Sequence, residues 1–205
     1  MPNWVHNRLD IHCGDQRRSE IREHLKPPSD SDEHAQDDAL TFQALIPRPK
    51  ELDDDWYNWN VANWGTKWDA AHSYMEETDD ALTYHFDTAW ACPMPVIAAF
   101  HERYPEVAFD YFYEEEQGWG GTLKVRDGKV TEQTEYDVPD SHAEMTRRGN
   151  ECWCVSSSEA VFDDCYFEQV KERGIVDAET LETVKGISRE WSGSIDELIE
   201  AATRL

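Results

Sequence analysis

Three segments of the sequence alternate apolar and polar side chains with the two-residue period of a β-strand that has one buried face. They are residues 4–11, 82–90 and 109–113. Each alternation fixes which side chains face a core. Together the three segments predict an antiparallel sheet with one buried face.

Helical patterns lie between these strands. One helix is expected to begin at Asp15 and to stop at the prolines that follow Leu25, and another to begin near Pro93 and stop before Pro105. A further strand is expected over residues 40–46, and the polar segment 27–38 is expected to form an exposed loop.

A hairpin signal follows the third alternating segment. Asp127-Gly128 is a strong two-residue turn between strands at 123–125 and 130–135, and the glycines at 118–121 are expected to form a tight turn before them. The predicted order is β-α-β, an insert, β-α-β and a trailing hairpin. This order indicates an α+β fold of the ferredoxin-like sandwich type, with an antiparallel sheet and helices on one face.

The pattern changes after residue 138. From Pro139 onward the periodicity is helical, and Ser194 and Glu197 form a capping box that opens a last helix. We therefore expect two domains: a ferredoxin-like domain with an acidic, tryptophan-rich insert over residues 1–138, and a helical extension over residues 139–205.

Charge is the strongest compositional constraint on function. The chain carries 44 acidic and 19 basic side chains, for a formal net charge of -25. Such a balance disfavours direct binding of nucleic acid and favours a basic protein partner. Spread over a folded surface, this charge amounts to roughly 400 Å² per net charge, against about 100 Å² on B-DNA, so imitation of DNA would require clustering.

The acids do cluster in three short runs. We predict partner binding by these residues: Asp53, Asp54 and Asp55; Glu76, Glu77, Asp79 and Asp80; Glu114, Glu115 and Glu116. Two other interpretations of the same runs remain open, namely solvated loops that maintain solubility and adaptation to a salty environment.

Four tryptophans, Trp56, Trp59, Trp64 and Trp68, stand in a window of thirteen residues. The spacing favours a short helix after the acidic run, ended by Gly65, with its indoles in the core. An alternative interpretation is a ligand site in which Lys67 and Asp69 supply the polar groups.

Other candidate chemistry is weaker. Cys152, Cys154 and Cys165 with His142 offer enough ligands for zinc, but a C-x-C spacing is not that of the usual zinc knuckle, so we expect no metal and no cofactor.

Aromatic side chains on a ferredoxin-like sheet can stack RNA bases, and Tyr84, Tyr111 and Tyr113 are candidates for such positions. Against this use, the strand that contains Tyr111 and Tyr113 runs directly into three glutamates, and no basic residues frame the three rings in the sequence. RNA binding is therefore not favoured.

The segments P-N-W-V-H-N-R-L-D-I (residues 2–11), I-P-R-P-K-E-L (46–52) and W-Y-N-W-N-V-A-N-W-G-T-K-W-D-A (56–70) resemble the YubB-type ferredoxin-like domain family of uncharacterised phage and plasmid proteins. The resemblance covers about residues 2–130 and implies the same sandwich. Its motif residues here are Trp56, Trp59, Trp64, Gly65, Lys67, Trp68 and Asp69. It implies no catalytic residues.

These observations lead to one expected function and two alternatives. We expect a non-enzymatic accessory protein of a phage or mobile element that binds and inhibits a basic, nucleic-acid-processing host defence protein, with nucleic-acid mimicry as one mechanism. The alternatives are an assembly or housekeeping protein, and a small-ligand or enzyme domain that uses the N-W-G-T-K-W-D-A segment. No signal peptide or membrane-spanning run is recognisable, so the expected location is the host cytoplasm.

Overall fold

A computed structural model describes residues 2–28, 39–78, 80–150, 152, 162, 164–174, 176–188, 191 and 193–205. The chain divides into two compact units, Met1–Val138 and Pro139–Leu205. Most of the loop expected over residues 27–38 lies outside the described ranges.

Unit 1 alternates strands and helices. Its elements are β1 (Trp4–His12), α1 (Asp15–Leu25), two 3₁₀ helices (Phe42–Ala44 and Lys50–Asp55), α2 (Trp56–Trp64), β2 (Ala71–Glu77), β3 (Leu82–Ala89), α3 (Met94–Arg103), β4 (Ala108–Glu115), β5 (Gly120–Arg126) and β6 (Lys129–Tyr136). The insert, residues 39–70, stands between α1 and β2.

The six strands form one antiparallel sheet in the order β2-β3-β1-β4-β5-β6. The first four strands of this order, with α1 and α3 as their crossovers, make the ferredoxin-like arrangement, which confirms the predicted fold class. The hairpin of β5 and β6 extends the sheet beyond β4, and it turns at Asp127-Gly128 as expected.

One face of the sheet carries the core. On β1 the buried positions Val5, Leu9 and Ile11 alternate with exposed or half-buried ones. Side chains from both crossover helices pack against this face, including Ile21, Leu25, Val96, Ile97 and Phe100. The apolar and polar alternation in the sequence of β1 therefore predicted correctly which of its side chains are buried.

The strand predicted over residues 40–46 is wrong. Residues Phe42–Ala44 form a 3₁₀ turn instead, with Phe42 buried. The strand that pairs with β3 on the outer side of the sheet is β2, whose sequence A-H-S-Y-M-E-E shows little alternation. As an edge strand β2 buries only Ser73, so no period-2 apolar pattern marked it.

The three tyrosines considered for RNA stacking do not form an exposed platform, in line with the sequence analysis, which did not favour RNA binding. Tyr84, Tyr111 and Tyr113 are buried on the core face of the sheet, where no base could stack on them. The expected glycine turn is shorter than predicted, because Gly120 lies inside β5 opposite Glu114. A Cβ at Gly120 would stand 2.2 Å from the Tyr113 carbonyl oxygen, so glycine permits this close strand pairing.

A polar group lies at the centre of this core. Asn7 is 4% exposed, and its amide donates to the carbonyl oxygens of Val5 and Phe86 and to the Thr88 hydroxyl at 2.8, 3.2 and 3.0 Å. The Tyr111 hydroxyl donates to the Asn7 side-chain oxygen at 2.6 Å. Burial raises the pKa of Tyr111 well above its usual value, so this hydroxyl stays protonated as the donor. Every polar atom of the Asn7 side chain therefore has a partner.

Replacement of Asn7 should destabilise unit 1. In Asn7→Ala the buried Tyr111 hydroxyl loses its acceptor and Thr88 loses a donor, so we expect a loss of about 2–3 kcal/mol in the free energy of unfolding. Chemical denaturation measures it. The matched control is Asn3→Ala, at an exposed position, which should change the free energy by less than about 0.5 kcal/mol; equal effects at both positions would contradict the role of the network.

Unit 2 is helical where it is described. Its helices are α4 (His142–Arg147), α5 (Cys165–Arg173), α6 (Ala178–Ile187) and α7 (Ile195–Thr203). Its main core joins Val170, Val184, Leu198 and Ala202. The capping box predicted at Ser194 and Glu197 is present at the start of α7. No helix in the described parts of the chain is both long and apolar enough to cross a membrane.

Candidate partner-binding surface

Helix α2 is placed by the residues around its two ends. It begins directly after the acidic 3₁₀ helix and ends at Gly65, which has the left-handed φ of 81°. A Cβ at Gly65 would also lie 2.9 Å from Cδ of Pro95. Backbone conformation and close packing both favour glycine here, as the sequence indicated for the end of the helix.

The inward side of the tryptophan window is structural. Trp64 is 1% exposed, packs edge-on against Phe42 and Trp59, and donates its indole N–H to the Ile46 carbonyl oxygen at 2.9 Å. Asn60 is buried and donates to the Lys67 carbonyl oxygen at 2.8 Å. These contacts fold the insert onto itself. Of the four indoles expected in the core, Trp64 is buried, whereas Trp56, Trp59 and Trp68 are half-buried.

Two further motif residues tie the insert to its surroundings. The Thr66 hydroxyl donates to the Ala89 carbonyl oxygen at 2.9 Å, which fixes the motif to the end of β3. The Asp69 carboxylate accepts the Thr41 hydroxyl and the Phe42 backbone N–H, both at 2.6 Å, and the Ala70 N–H at 2.8 Å. Asp69 thus holds the first 3₁₀ turn in place.

Lys67 stands among three aromatic rings. The Lys67 ammonium lies 4.4 Å from the Trp68 ring centre, 4.7 Å from that of Trp90 and 6.0 Å from that of Tyr57. We call these four residues the lysine–aromatic cluster. Tyr57 is 43% exposed, and Val61, one helical turn later on the same side of α2, is also exposed. The cluster and Val61 therefore form a partly apolar surface.

Trp90 is held in this surface at a conformational cost. Its φ of 69° lies in the left-handed region that bulky side chains rarely adopt, and the residue is 49% exposed. Its backbone N–H donates to the Asn3 carbonyl oxygen at 3.0 Å. A second residue with a left-handed backbone, His72 (φ 50°), is nearby. The Trp4 ring contacts both His72 and Trp68 of the cluster. Such strain concentrates at sites where the conformation serves binding or catalysis.

A concavity beside the cluster bears on the small-ligand alternative. It measures about 370 Å³ and is lined by Gln43, Arg48, Trp56, Asn60, Trp64, Trp68 and Asp69. Lys67 is not in this lining, and Asp69 already accepts three hydrogen bonds. This concavity therefore holds only one of the two polar groups expected for that alternative.

The first acidic run borders the lysine–aromatic cluster. Asp53, Asp54 and Asp55 are all exposed on the 3₁₀ helix, and Asp55 stands two residues before Tyr57 in the chain. Asp53 contacts Arg48 at 3.4 Å, and Asp55 accepts from Asn58 at 2.6 Å. All three carboxylates are exposed to solvent and lie close to Tyr57 in the chain.

The second acidic run lies at the far end of the sheet. Glu77 pairs with Leu82 on β3, whereas the cluster begins beyond Ala89 at the other end of that strand. The five steps along the strand from Leu82 to Asp87 alone span about 16 Å. Glu76 and Asp80 are exposed, Glu77 binds Arg22 at 2.7 Å, and Asp79 lies outside the described residues.

The third run is divided by burial. Glu115 is 3% exposed and accepts the Gln117 backbone N–H at 2.7 Å, so its role is to hold the turn after β4. Glu114 accepts the Tyr136 hydroxyl at 2.8 Å. Glu116 is exposed and its N–H donates to the Trp4 carbonyl oxygen at 3.2 Å, which places it on the Trp4 side of the cluster. The ten predicted acids therefore do not form one surface.

Negative charge is shared evenly by the two units. Residues 1–138 carry 29 acidic and 12 basic side chains, a net charge of -17, and residues 139–205 carry 15 and 7, a net charge of -8. Each unit has about one net negative charge per eight residues. Acidity is thus a property of the whole chain, and local specificity must come from other features.

The sequence prediction missed three members of this surface. Tyr57 and Val61 lie four residues apart on α2, but with Asn60 and Trp64 they follow the i, i+3, i+4, i+7 spacing of one helical stripe, so the spacing did not separate the exposed residues from the buried ones. Trp90 gave no signal either, because its left-handed backbone leaves no trace in the alternation of β3.

Comparison with known proteins agrees with the fold. A family model described as a ferredoxin-like domain in Api92-like protein matches residues 63–151. Unit 1 of this chain has a ferredoxin-like fold. The matched range begins at Asn63, the first residue of N-W-G-T-K-W-D-A, and includes β2 to β6. Residues 63–151 are therefore similar to the ferredoxin-like domain of Api92-like proteins.

One solved structure is also similar, the crystal structure of a protein Api92 from Yersinia pseudotuberculosis. It shares 9% sequence identity, covers 68% of this chain and 99% of that chain, and has a TM-score of 0.48. No curated protein matches the sequence.

The structural role of Asp69 can be tested directly. In Asp69→Asn one carboxylate oxygen becomes an amide that faces donors from residues 41 and 42, so we expect a loss of about 2 kcal/mol in the free energy of unfolding. Asp54→Asn, at an exposed position on the 3₁₀ helix, is the matched control and should stay within about 0.5 kcal/mol. Unchanged stability of Asp69→Asn would show that the carboxylate is not a clamp and would restore the ligand-site interpretation.

Proposed function

We propose that this chain is a non-catalytic protein that binds a basic protein partner through the surface formed by the lysine–aromatic cluster, Val61 and the carboxylates of Asp53, Asp54 and Asp55. The same surface is the site of specificity. The acidity of the rest of the chain contributes long-range attraction to any basic partner.

The observation that carries this proposal is the conformation of Trp90. A half-exposed indole on a left-handed backbone contributes little to the core, and it costs conformational energy that a glycine at the same position would avoid. Tryptophan and tyrosine are the side chains most enriched among the residues that dominate binding energy in interfaces. An exposed pair of them, Tyr57 and Trp90, joined by Lys67, fits that use.

The charges around the cluster favour a basic partner. Three exposed aspartates border Tyr57 on one side, and Glu116 borders Trp4 on the other. Lys67 already lies over the rings of Trp68 and Trp90. A partner would contact the exposed parts of the rings with apolar groups and reach the carboxylates with arginine or lysine, an arrangement of aromatic centre and polar rim.

The resemblance to phage and plasmid proteins supports a finer form of the proposal. In that setting the partner is a nucleic-acid-processing host protein, and binding blocks its nucleic-acid site. Occlusion by the aromatic surface is favoured over imitation of a duplex, because the acidic runs stand at opposite ends of the sheet and Glu115 is buried.

A second candidate function rests on the even charge of the two units. The two units carry the same net negative charge per residue. This is the pattern expected when acidity keeps a protein soluble or adapts the protein to high salt, as in an assembly or housekeeping protein. In that case neutralising any three exposed acids would have the same small effect on every interaction of the protein.

Affinity capture with paired variants distinguishes the two. The full chain is immobilised and exposed to lysate of its natural host, and recovered proteins are quantified by mass spectrometry for wild type, Tyr57→Ala and Trp90→Gly. We expect a basic, nucleic-acid-binding protein whose recovery falls about tenfold or more in each variant, since loss of an anchor residue costs about 2 kcal/mol of binding. Trp90→Gly should keep its folding stability, because glycine accepts the left-handed backbone.

The controls match residue type and charge. Tyr74→Ala removes another exposed tyrosine, on the edge strand β2, and should leave recovery unchanged. Neutralising Asp53, Asp54 and Asp55 should weaken binding more than neutralising three exposed acids elsewhere, Glu132, Glu135 and Asp137. Equal effects of the two triple variants, with none from Tyr57→Ala, would overturn the proposal in favour of general acidity.

A further inference from the structure

We propose that unit 2 contains a structural zinc site formed by His142, Cys152 and Cys165. The three side chains are buried, and their ligand atoms lie within 4.8 Å of one another. The sequence spacing did not favour this site. The fold brings together residues 10 and 13 positions apart, so the pattern C-x-C is not the feature that defines it.

The distance between the two sulfurs fits tetrahedral coordination. Sγ of Cys152 lies 3.8 Å from Sγ of Cys165. Two zinc–sulfur bonds of about 2.3 Å at a tetrahedral angle place their sulfurs about 3.8 Å apart. A disulfide would require about 2.05 Å. The two thiols are therefore spaced for a shared cation without movement of either side chain.

Neighbouring residues hold the ligands in this arrangement. Asp164, directly before Cys165, accepts the backbone N–H groups of His142 and Ala143 at 2.8 and 3.1 Å, which fixes the start of α4 beside the start of α5. The ring of His142 contacts the Glu172 carboxylate at 3.4 Å. Carboxylates in contact with a ligating imidazole orient it at many zinc sites.

A backbone donor and a helix N-terminus lie at the Cys165 sulfur. The backbone N–H of Phe162 donates to Sγ of Cys165 at 3.1 Å, and Cys165 is the first residue of α5, where the helix dipole stabilises negative charge. On binding, each thiol releases its proton to solvent as its sulfur–zinc bond forms. Two thiolates, a neutral imidazole and Zn²⁺ have no net charge, which suits a buried position.

The size of unit 2 gives the cation a role. The unit has 67 residues, and its described buried apolar side chains are few: Cys152, Cys165, Val170, Val184, Leu198 and Ala202. Domains of this size are commonly completed by a metal or disulfides, because a small core alone supplies little stability. The site would join α4 and α5 apart from the main helical core. Its fourth ligand is not assigned, and Cys154 lies outside the described residues.

Zinc content of the untagged full chain tests the proposal. The protein is prepared with reductant and zinc in the growth medium, desalted, and measured by inductively coupled plasma mass spectrometry. We expect about one zinc per chain in wild type and a loss of tenfold or more in Cys165→Ser and Cys152→Ser. Cys13→Ser, at a free thiol in unit 1, is the matched control and should keep its zinc.

A spectroscopic measurement on the wild-type protein tests the site without relying on variants, which could lose zinc because they fail to fold. Cobalt(II) added to metal-free wild type should give the thiolate-to-cobalt charge-transfer band and the visible bands of tetrahedral coordination, and zinc should displace both. Zinc should also raise the melting temperature of the metal-free protein. Substoichiometric zinc in wild type with no thiolate band, or zinc retained equally by both cysteine variants as an adventitious surface ion only, would overturn the site.

Discussion

The hydrogen bonds of the Asp69 carboxylate are the contacts on which the proposed surface depends. They join the end of the tryptophan window to the first 3₁₀ turn of the insert, while Trp64 and Thr66 bind the same segment to Ile46 and Ala89. Residues 64, 66 and 69 bond to the rest of unit 1, and between them the Lys67 ammonium lies over the rings of Trp68 and Trp90. One short motif thus serves both to close the insert and to display a surface.

Strand alternation was sufficient to predict the fold, and its failures have a common cause. The pattern located β1, β3 and β4 because each has one buried face, and the prolines marked the limits of the helices. It missed β2 because an edge strand with one buried residue has no apolar period, and it misplaced a strand at 40–46 because Phe42 is buried by a turn capped from Asp69. Contacts between distant residues decided both cases.

The candidate sites were less predictable, for a physical reason that differs between the two units. In unit 1 the acids were visible in the sequence, yet their usefulness depends on burial and on the end of the sheet where they lie, as Glu115 and Glu77 illustrate. In unit 2 the ligand types were visible, but the 3.8 Å separation of the Cys152 and Cys165 sulfurs is a property of the fold that their spacing in the sequence does not contain. Local spacing contains neither kind of information.

The central claim is that a partner contacts the lysine–aromatic cluster, and site-specific photo-crosslinking tests it most directly. A photoreactive amino acid is placed at position 57 or 61 on α2, and at position 74 or 130 on other exposed parts of unit 1, and each full-length protein is irradiated in host lysate. The account predicts crosslinks from positions 57 and 61 to one basic protein, with little yield from positions 74 and 130. Equal yields from all four positions, or crosslinks from 74 and 130 alone, would contradict it.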